Sequence, residues 1–218
     1  MEYWIPIAVL YAALISAIDI YKKWLLERQF DPLLILVQAQ TIMVVGVFLY
    51  IPIAGVQVPF DLTLLGIGAI MTLASWLLIE ALQRDDVSVV GPVVSLTPLW
   101  VAFTEPLITD AGWEQDLLLG AVLVVAGVYL VLFEEDILHP FRRLSDTGVV
   151  LAILGSFSYA GVAVFQRRLL DGSVDPFGVS LGTVIASWLF FAVLWLVLRG
   201  SPRRALKFHR LILPLAVF

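Results

Sequence analysis

Seven long, uninterrupted apolar stretches constrain this chain more than any other feature of its sequence. Each is close to the roughly 20 residues with which a helix crosses the hydrocarbon core of a bilayer. They are continuous rather than alternating, and they are about twice as long as a tilted barrel strand, so they predict helices. The stretches are residues 4–21, 33–53, 62–82, 87–108, 117–133, 148–166 and 178–198.

The composition supports the same fold class. Of the 218 residues, 61% are hydrophobic and 14% are charged. A soluble fold of this length could not remove so much apolar surface from water. We therefore predict an all-α, polytopic membrane protein whose helices contact the lipid bilayer. It has about seven spans and a partial eighth, which begins in LILPLAVF at residues 211–218.

The charged and reactive residues argue against several classes of function. A net charge of −5 argues against a nucleic-acid partner. Cysteine is absent, and the two histidines, His139 and His209, lie in predicted loops, so we expect no metal site and no cofactor. Because no histidine lies in a span and there is no GxSxG or HExxH motif, we expect no catalytic residues and no enzyme activity.

One segment of the sequence is repeated. Residues 13–32, ALISAIDIYKKWLLERQFDP, align without gaps with residues 157–176, FSYAGVAVFQRRLLDGSVDP, at a shift of 144. Lys23 falls on Arg167, and both segments end in Asp-Pro. Five spans precede the second copy. Because five is odd, the second copy has the opposite orientation, as in the inverted repeats of many secondary transporters.

The shift also predicts how the chain divides into domains. We predict a first five-helix repeat at residues 1–135, a linker at 136–147 and a partial second repeat at 148–218. A complete second repeat would need roughly 60 further residues by the same shift. The cavity would then lack part of its wall, so we expect this chain alone not to transport, unless two protomers complete the wall as a homodimer.

The region of residues 80–132 is similar to a known family. EALQRDDVSVVGPVVSLTPLWVAF is followed by LLLGAVLVVAGVYLVL. This order of motifs resembles the third to fifth helices of the EamA-type, ten-helix branch of the drug/metabolite transporter superfamily. The matching features are the pairs 81–82, 97–98 and 126–127, the polar turn before Ser88, and the single residues Pro92, Ser95 and Gly120.

The resemblance implies both a fold and a function. The family fold has ten helices in two inverted five-helix halves around a central cavity, and its members move amino acids, drugs and other small metabolites. It implies a secondary transporter of the cell membrane that works by alternating access on a small-molecule substrate, with a coupling proton or cation. A non-transporting helical scaffold or a channel-like protein is the alternative, although no filter-like loop is repeated.

Three carboxylates lie inside predicted spans, where ionisable groups are costly and mark candidate functional sites. Asp19, Glu80 and Glu105 come late in the first, third and fourth spans. Ser16 shares a helix face with Asp19, and Trp76 shares one with Glu80. Either these residues face a cavity and bind substrate or a coupling ion, or they lie near an interface and are hydrated.

The fourth span carries the densest set of candidates. Pro92 and Pro98 each remove a backbone donor and are expected to kink the helix. Its polar residues fall near one face, and they are Thr97, Trp100, Thr104 and Glu105. They suit a polar substrate; the alternative is helix packing, with the threonines bonded to their own backbone. Weaker candidates in other spans are Tyr159, Ser156, Gln38 and Thr41.

The basic residues are distributed unequally between the two sides of the predicted bundle. Eleven of the thirteen Lys and Arg residues follow the first, third, fifth and seventh spans, and the other two are Arg167 and Arg168. The positive-inside rule places the eleven in the cytoplasm and the N-terminus outside. The family resemblance implies instead that both ends lie inside, and the sequence leaves the two orientations open.

Overall fold

The computed structural model describes residues 4–55, 58, 61–109, 112–113, 115–132, 146–171 and 175–199. Within these ranges the chain forms helices and no strand. In chain order they are α1 (Trp4–Glu27), α2 (Pro32–Ala54), α3 (Leu62–Arg84), α4 (Val87–Val94), α5 (Thr97–Ile108), α6 (Gln115–Leu132), α7 (Thr147–Asp171) and α8 (Pro176–Arg199). The predicted all-α fold class is confirmed. The predicted partial eighth span at 211–218, both histidines and most of the linker lie outside the described residues.

The helices fall where the apolar stretches predicted them. Five segments of the described chain are long and apolar enough to cross a bilayer. They are Pro32–Ile53, Leu62–Arg84, Val87–Ile108, Thr147–Leu170 and Pro176–Leu198. The first predicted span lies within α1, which has 24 residues, and the fifth corresponds to α6, whose apolar part is Leu118–Leu130. The chain is a polytopic helical membrane protein.

The fourth span is interrupted in its middle, just before Pro98, whereas Pro92 lies inside a continuous helix. It consists of α4 and α5, and the two helices are separated by Ser95 and Leu96. Pro98 has no N–H with which to reach the carbonyl of Val94, one turn earlier. The hydroxyl of Thr97 donates to that carbonyl instead, at 2.7 Å. The break therefore leaves this backbone oxygen satisfied, as a membrane interior requires.

The two Asp-Pro pairs of the repeated segments have the same structural role. Asp31 precedes α2 and accepts a hydrogen bond from the Leu33 N–H at 3.0 Å. Asp175 precedes α8 and accepts from the Gly178 N–H, also at 3.0 Å. Each aspartate caps free N–H groups at a helix start, and the proline after it suits the first helical turn.

Helix α3 lies at the centre of the bundle, where it packs most extensively on α7 and α8. It approaches α8 so closely that a Cβ added at Gly68 would lie 2.4 Å from the Cβ of Ala186. The hydroxyl of Thr72 donates to the carbonyl of Ser187 across the same contact, at 3.2 Å. The two halves of the chain therefore share one core rather than forming separate bodies.

Among the described residues, no such close contact involves the glycines of α6. From the sequence, Gly120 and Gly127 are expected to let helices approach closely, since small residues favour close packing. A Cβ added at either position would meet nothing within 4 Å among the described residues. Close backbone approach is provided instead by Gly68 and by Gly155, whose added Cβ would lie 3.4 Å from the carbonyl oxygen of Ala74.

Candidate functional site

A cavity of about 240 Å³ lies between α1, α2, α3 and α7. The described residues that line it are apolar except for four with polar side chains, Lys22, Gln40, Ser75 and Tyr159. Ser75 and Tyr159 are near the middle of their helices, and Lys22 is near the end of α1. The cavity therefore extends from the middle of the bundle toward the end at which α1 and α3 finish. Its other lining residues are Leu14, Ile18, Ile35, Leu36, Ala39, Met43, Met71, Leu78 and Ile79.

A pair of hydroxyl groups joins the two halves of the chain at the inner end of the cavity. Ser75 Oγ on α3 and Tyr159 Oη on α7 are 3.0 Å apart, and either can donate to the other. Ser75 is 7% exposed and Tyr159 is half-buried, so the pair is partly shielded from solvent. Each hydroxyl can take part in more than one hydrogen bond, so the pair can also bind a polar group inside the cavity.

An ion pair lies at the other end of the cavity. Lys22 Nζ is 2.9 Å from Asp19 Oδ1, one turn earlier on α1. Their side chains are 22% and 20% exposed, so neither charge is fully hydrated. Asp19 was a candidate from the sequence, whereas Lys22 was assigned only to the basic end of the helix. Its three-residue spacing from Asp19 is the signal that would have linked it to the site.

The side chain of Gln40 supplies an acceptor to the cavity wall. Its Oε1 is shielded from solvent and has no hydrogen-bond partner among the described residues. A buried carbonyl oxygen without a partner costs roughly 1–3 kcal/mol, so a bound donor would be stabilised there. Sequence reasoning selected Gln38 of the same helix instead. Gln38 is buried but does not line the cavity.

A second polar cluster joins α5 to α7 outside the cavity lining. Trp100 Nε1 donates to Ser156 Oγ at 2.9 Å, and the Trp100 ring meets that of Phe157 edge to face. Farther along both helices, Glu105 forms an ion pair with Arg167. The Glu105 side chain is 5% exposed and that of Arg167 is 56% exposed. A buried carboxylate is thus held by a guanidinium that extends to the surface.

The remaining candidates of the fourth span bond to their own backbone or lie at the surface. Thr97 donates to Val94 and Thr104 donates to the carbonyl of Trp100, both at 2.7 Å. Pro98 is exposed. These contacts fit the alternative in which the threonines bond to their own backbone and the span serves helix packing. Of the polar residues on this face, the threonines therefore bond within the span, whereas Trp100 and Glu105 contact α7.

Candidates on α1 and α3 also divide between the cavity and the surface. Ser16 is exposed, and Trp76 is 36% exposed. Glu80 pairs with Arg84 at 2.5 Å, one turn along α3, where both are partly exposed. Of the sequence-predicted candidates, Tyr159 lines the cavity and Asp19 reaches it through Lys22.

No three His, Cys, Asp or Glu side chains in the described ranges are grouped so that they could hold a metal ion.

A larger cavity of about 540 Å³ lies between α2, α3 and α8. Its lining is almost entirely apolar, and Asp61, which caps the start of α3, is the one charged residue among the described residues that line it. Such a lining offers no convergent polar groups with which to orient a polar solute. The smaller cavity is therefore the candidate solute site.

The fold and this cavity define a class of protein: a helical integral membrane protein with a polar-lined site between its spans. Residues 2–133, more than half of the chain, match the model of the EamA-like transporter family. The chain belongs to that family, whose members are membrane transporters of small solutes. No curated protein and no solved structure matches the chain significantly.

Proposed function

We propose that the protein is a secondary transporter of the cell membrane that carries small metabolites by alternating access. The solute binds in the cavity between α1, α2, α3 and α7, and transport is coupled to a proton or another cation. The observation that carries this proposal is the Ser75–Tyr159 hydroxyl pair, which bridges the two halves near the middle of the bundle. Transporters built from inverted repeats bind solute near the midplane, where the repeats meet.

Two basic residues at aligned positions supply the means to close the cavity on either side. Lys23 Nζ donates to the carbonyls of Leu82 and Asp85, at 3.0 and 2.9 Å, and so ties the end of α1 to the end of α3. Arg167 ties the end of α7 to the end of α5 through Glu105. Because α3 and α5 belong to successive spans, these contacts lie at opposite ends of the bundle. We infer that they open alternately.

Solute flux through the protein expressed from its complete open reading frame tests this function. In proteoliposomes, uptake of labelled solute by a carrier is saturable and is inhibited by unlabelled solute outside. Unlabelled solute trapped inside increases the rate of this uptake, because the carrier exchanges one solute molecule for another. A channel-like protein shows flux that does not saturate and shows no exchange acceleration. A scaffold shows no flux under any gradient. The Tyr159→Phe variant should insert normally but transport more slowly than the wild type.

A further inference from the structure

Lys22 has unused hydrogen-bonding capacity inside the cavity, unlike its neighbour in sequence. An ammonium group has three N–H donors. Lys23 uses its donors on the carbonyls of Leu82 and Asp85 and lies 3.9 Å from Asp86. Lys22 lines the cavity, and among the described residues its ammonium contacts only Asp19. Two of its donors are therefore available to a ligand.

The polar groups at the cavity wall differ in what they can bind. The Lys22 ammonium only donates and carries a positive charge, so its best ligand is an anionic acceptor. The Gln40 Oε1 is a shielded acceptor without a partner in the described chain, so its best ligand is a donor. The hydroxyl groups of Ser75 and Tyr159 can each donate or accept a hydrogen bond. The cavity thus offers one site for a carboxylate and one for a hydrogen-bond donor.

The size and walls of the cavity restrict the rest of the ligand. Its volume of about 240 Å³ lies below the roughly 300–1,000 Å³ typical of pockets for drug-sized ligands. Among the described residues, its apolar lining is aliphatic or thioether, including Ile18, Met43 and Met71, and Tyr159 is the one aromatic residue. A compact aliphatic body fits this lining better than a flat aromatic ring, which would need stacking partners.

We propose that the transported solute is a small aliphatic acid that carries one carboxylate and one hydrogen-bond donor, an amine or a hydroxyl. Lys22 binds the carboxylate, Gln40 Oε1 accepts from the donor, and Asp19 is the counter-ion that the carboxylate displaces from Lys22. This assignment rests on the proposed function, because it names the ligand of the same cavity.

Ligand-induced thermal stabilisation of the detergent-solubilised protein tests the assignment directly, because a ligand that binds the folded state raises its melting temperature. The probes are valine, 2-hydroxyisovalerate, isovalerate and valinamide. We expect binding of valine or 2-hydroxyisovalerate, and the tighter of the two identifies the donor as amine or hydroxyl. Isovalerate, which lacks the donor, should bind about fivefold or more weakly, and valinamide, which lacks the carboxylate, at least about tenfold more weakly.

Two basic residues at the same end of the bundle provide a matched pair of variants. Lys22→Gln should weaken binding of the acids by about tenfold or more, whereas Arg84→Gln, at a residue that does not line the cavity, should leave their affinity within about twofold. Lys22→Arg, which keeps the charge, should retain most of the affinity. Asp19→Asn removes the competing carboxylate, so it should tighten binding of 2-hydroxyisovalerate, which has no amine that Asp19 could attract. A merely structural Asp19–Lys22 pair would not give this gain.

Several outcomes would overturn the assignment. They are equal binding of valinamide and valine, tightest binding of isovalerate, no binding of any acid, and unchanged affinity in Lys22→Gln. The wild-type probe series carries the test even where a variant fails to fold. Saturable flux of cations or neutral solutes, without binding of the acids, would refute the assignment and leave the transporter function intact. No flux of any solute would refute the transporter function itself.

Discussion

Lys23 and Arg167 occupy equivalent positions in the two aligned segments, and each ties the end of its helix to a neighbouring helix at opposite ends of the bundle. Their partners differ in kind. Lys23 donates to main-chain carbonyls at the end of α3, whereas Arg167 pairs with the carboxylate of Glu105. Both partners of the second contact are side chains, so substitutions can test it from either side, whereas the carbonyl partners of Lys23 cannot be removed by substitution.

The two members of this pair should not contribute equally to stability. Arg167→Gln leaves the buried carboxylate of Glu105 without its cation, whereas Glu105→Gln leaves a guanidinium that is 56% exposed and can be hydrated. Removing the partner of a buried charge costs several kcal/mol. The partial exposure of Arg167 lowers our expectation to roughly 1–3 kcal/mol for Arg167→Gln, and to less than about 1 kcal/mol for Glu105→Gln. Thermal unfolding in detergent, followed by far-UV circular dichroism, measures both. Equal losses would contradict the burial of Glu105.

Transport should separate these variants from simple loss of stability. We expect Glu105→Gln to insert normally and to transport several-fold more slowly than the wild type, because the ion pair that joins α5 to α7, one of the two proposed closing contacts, is lost. Arg84→Gln, which removes the partly exposed Glu80–Arg84 pair, is the matched control and should transport normally. Uptake rates normalised to the amount of inserted protein decide between them. Wild-type rates in Glu105→Gln would remove Glu105 from the mechanism.

Trp100 allows its hydrogen bond and its ring to be tested separately. Trp100→Phe loses the bond to Ser156 but keeps an aromatic ring near Phe157, so we expect a loss of about 1 kcal/mol. Trp100→Ala also removes the edge-to-face contact and leaves a gap between α5 and α7. It should cost roughly 2–4 kcal/mol and reduce transport without preventing insertion. Chemical denaturation of the purified variants gives both values. A loss in Trp100→Phe as large as in Trp100→Ala would show that the bond, and not the ring, holds the two helices.

The sequence predicts this bundle well wherever the signal is local. Continuous apolar runs gave the helices, Pro98 gave the break in the fourth span, and the Asp-Pro pairs gave the starts of α2 and α8. Each depends on residues within one or two turns, whose effect on the backbone is the same in any fold. The repeat at a shift of 144 is likewise visible without a structure.

The site was less predictable because it depends on which helix faces meet. The three-residue spacing links Lys22 to Asp19, but it does not show that the Lys22 side chain reaches a cavity while that of Lys23 reaches the end of α3. Gln38 and Gln40 lie two residues apart on different faces of α2, and only the packing of α1 and α3 decides which one lines the cavity. Glu105 was selected for the cost of a charge in a span, but its partner lies on α7, far along the chain.

The close approach of α3 and α8 at Gly68 gives a prediction about packing alone. A Cβ there would lie 2.4 Å from the Cβ of Ala186 and 2.8 Å from the Ser187 nitrogen, so main-chain atoms of α8 would have to move. We expect Gly68→Ala to cost roughly 1–3 kcal/mol of stability through overpacking.

Gly120 provides the matched control for that substitution. It also lies within a helix, but an added Cβ would meet nothing within 4 Å in the described part of the chain. Gly120→Ala should therefore stabilise the protein by up to about 1 kcal/mol, because alanine loses less backbone entropy than glycine on forming a helix. Unfolding midpoints of the two variants, measured side by side, check the opposite signs. Gly68→Ala without a loss would show that α3 and α8 are not in close contact.

The orientation of the bundle in the membrane follows from where the basic residues lie. Lys22, Lys23 and Arg84 belong to the end at which α1 and α3 finish, and the positive-inside rule places this end in the cytoplasm. The N-terminus and the loop between α2 and α3 should then lie outside. Alkaline phosphatase fused after Asp61 should be active, and a reporter that fluoresces only in the cytoplasm should be dark at the same position. The reverse pattern would place Lys22 at the outer mouth of the cavity and the N-terminus inside, as the resemblance implies. Fusion after Arg84 is the control and must give the opposite readings to fusion after Asp61, because α3 crosses the membrane once between the two sites.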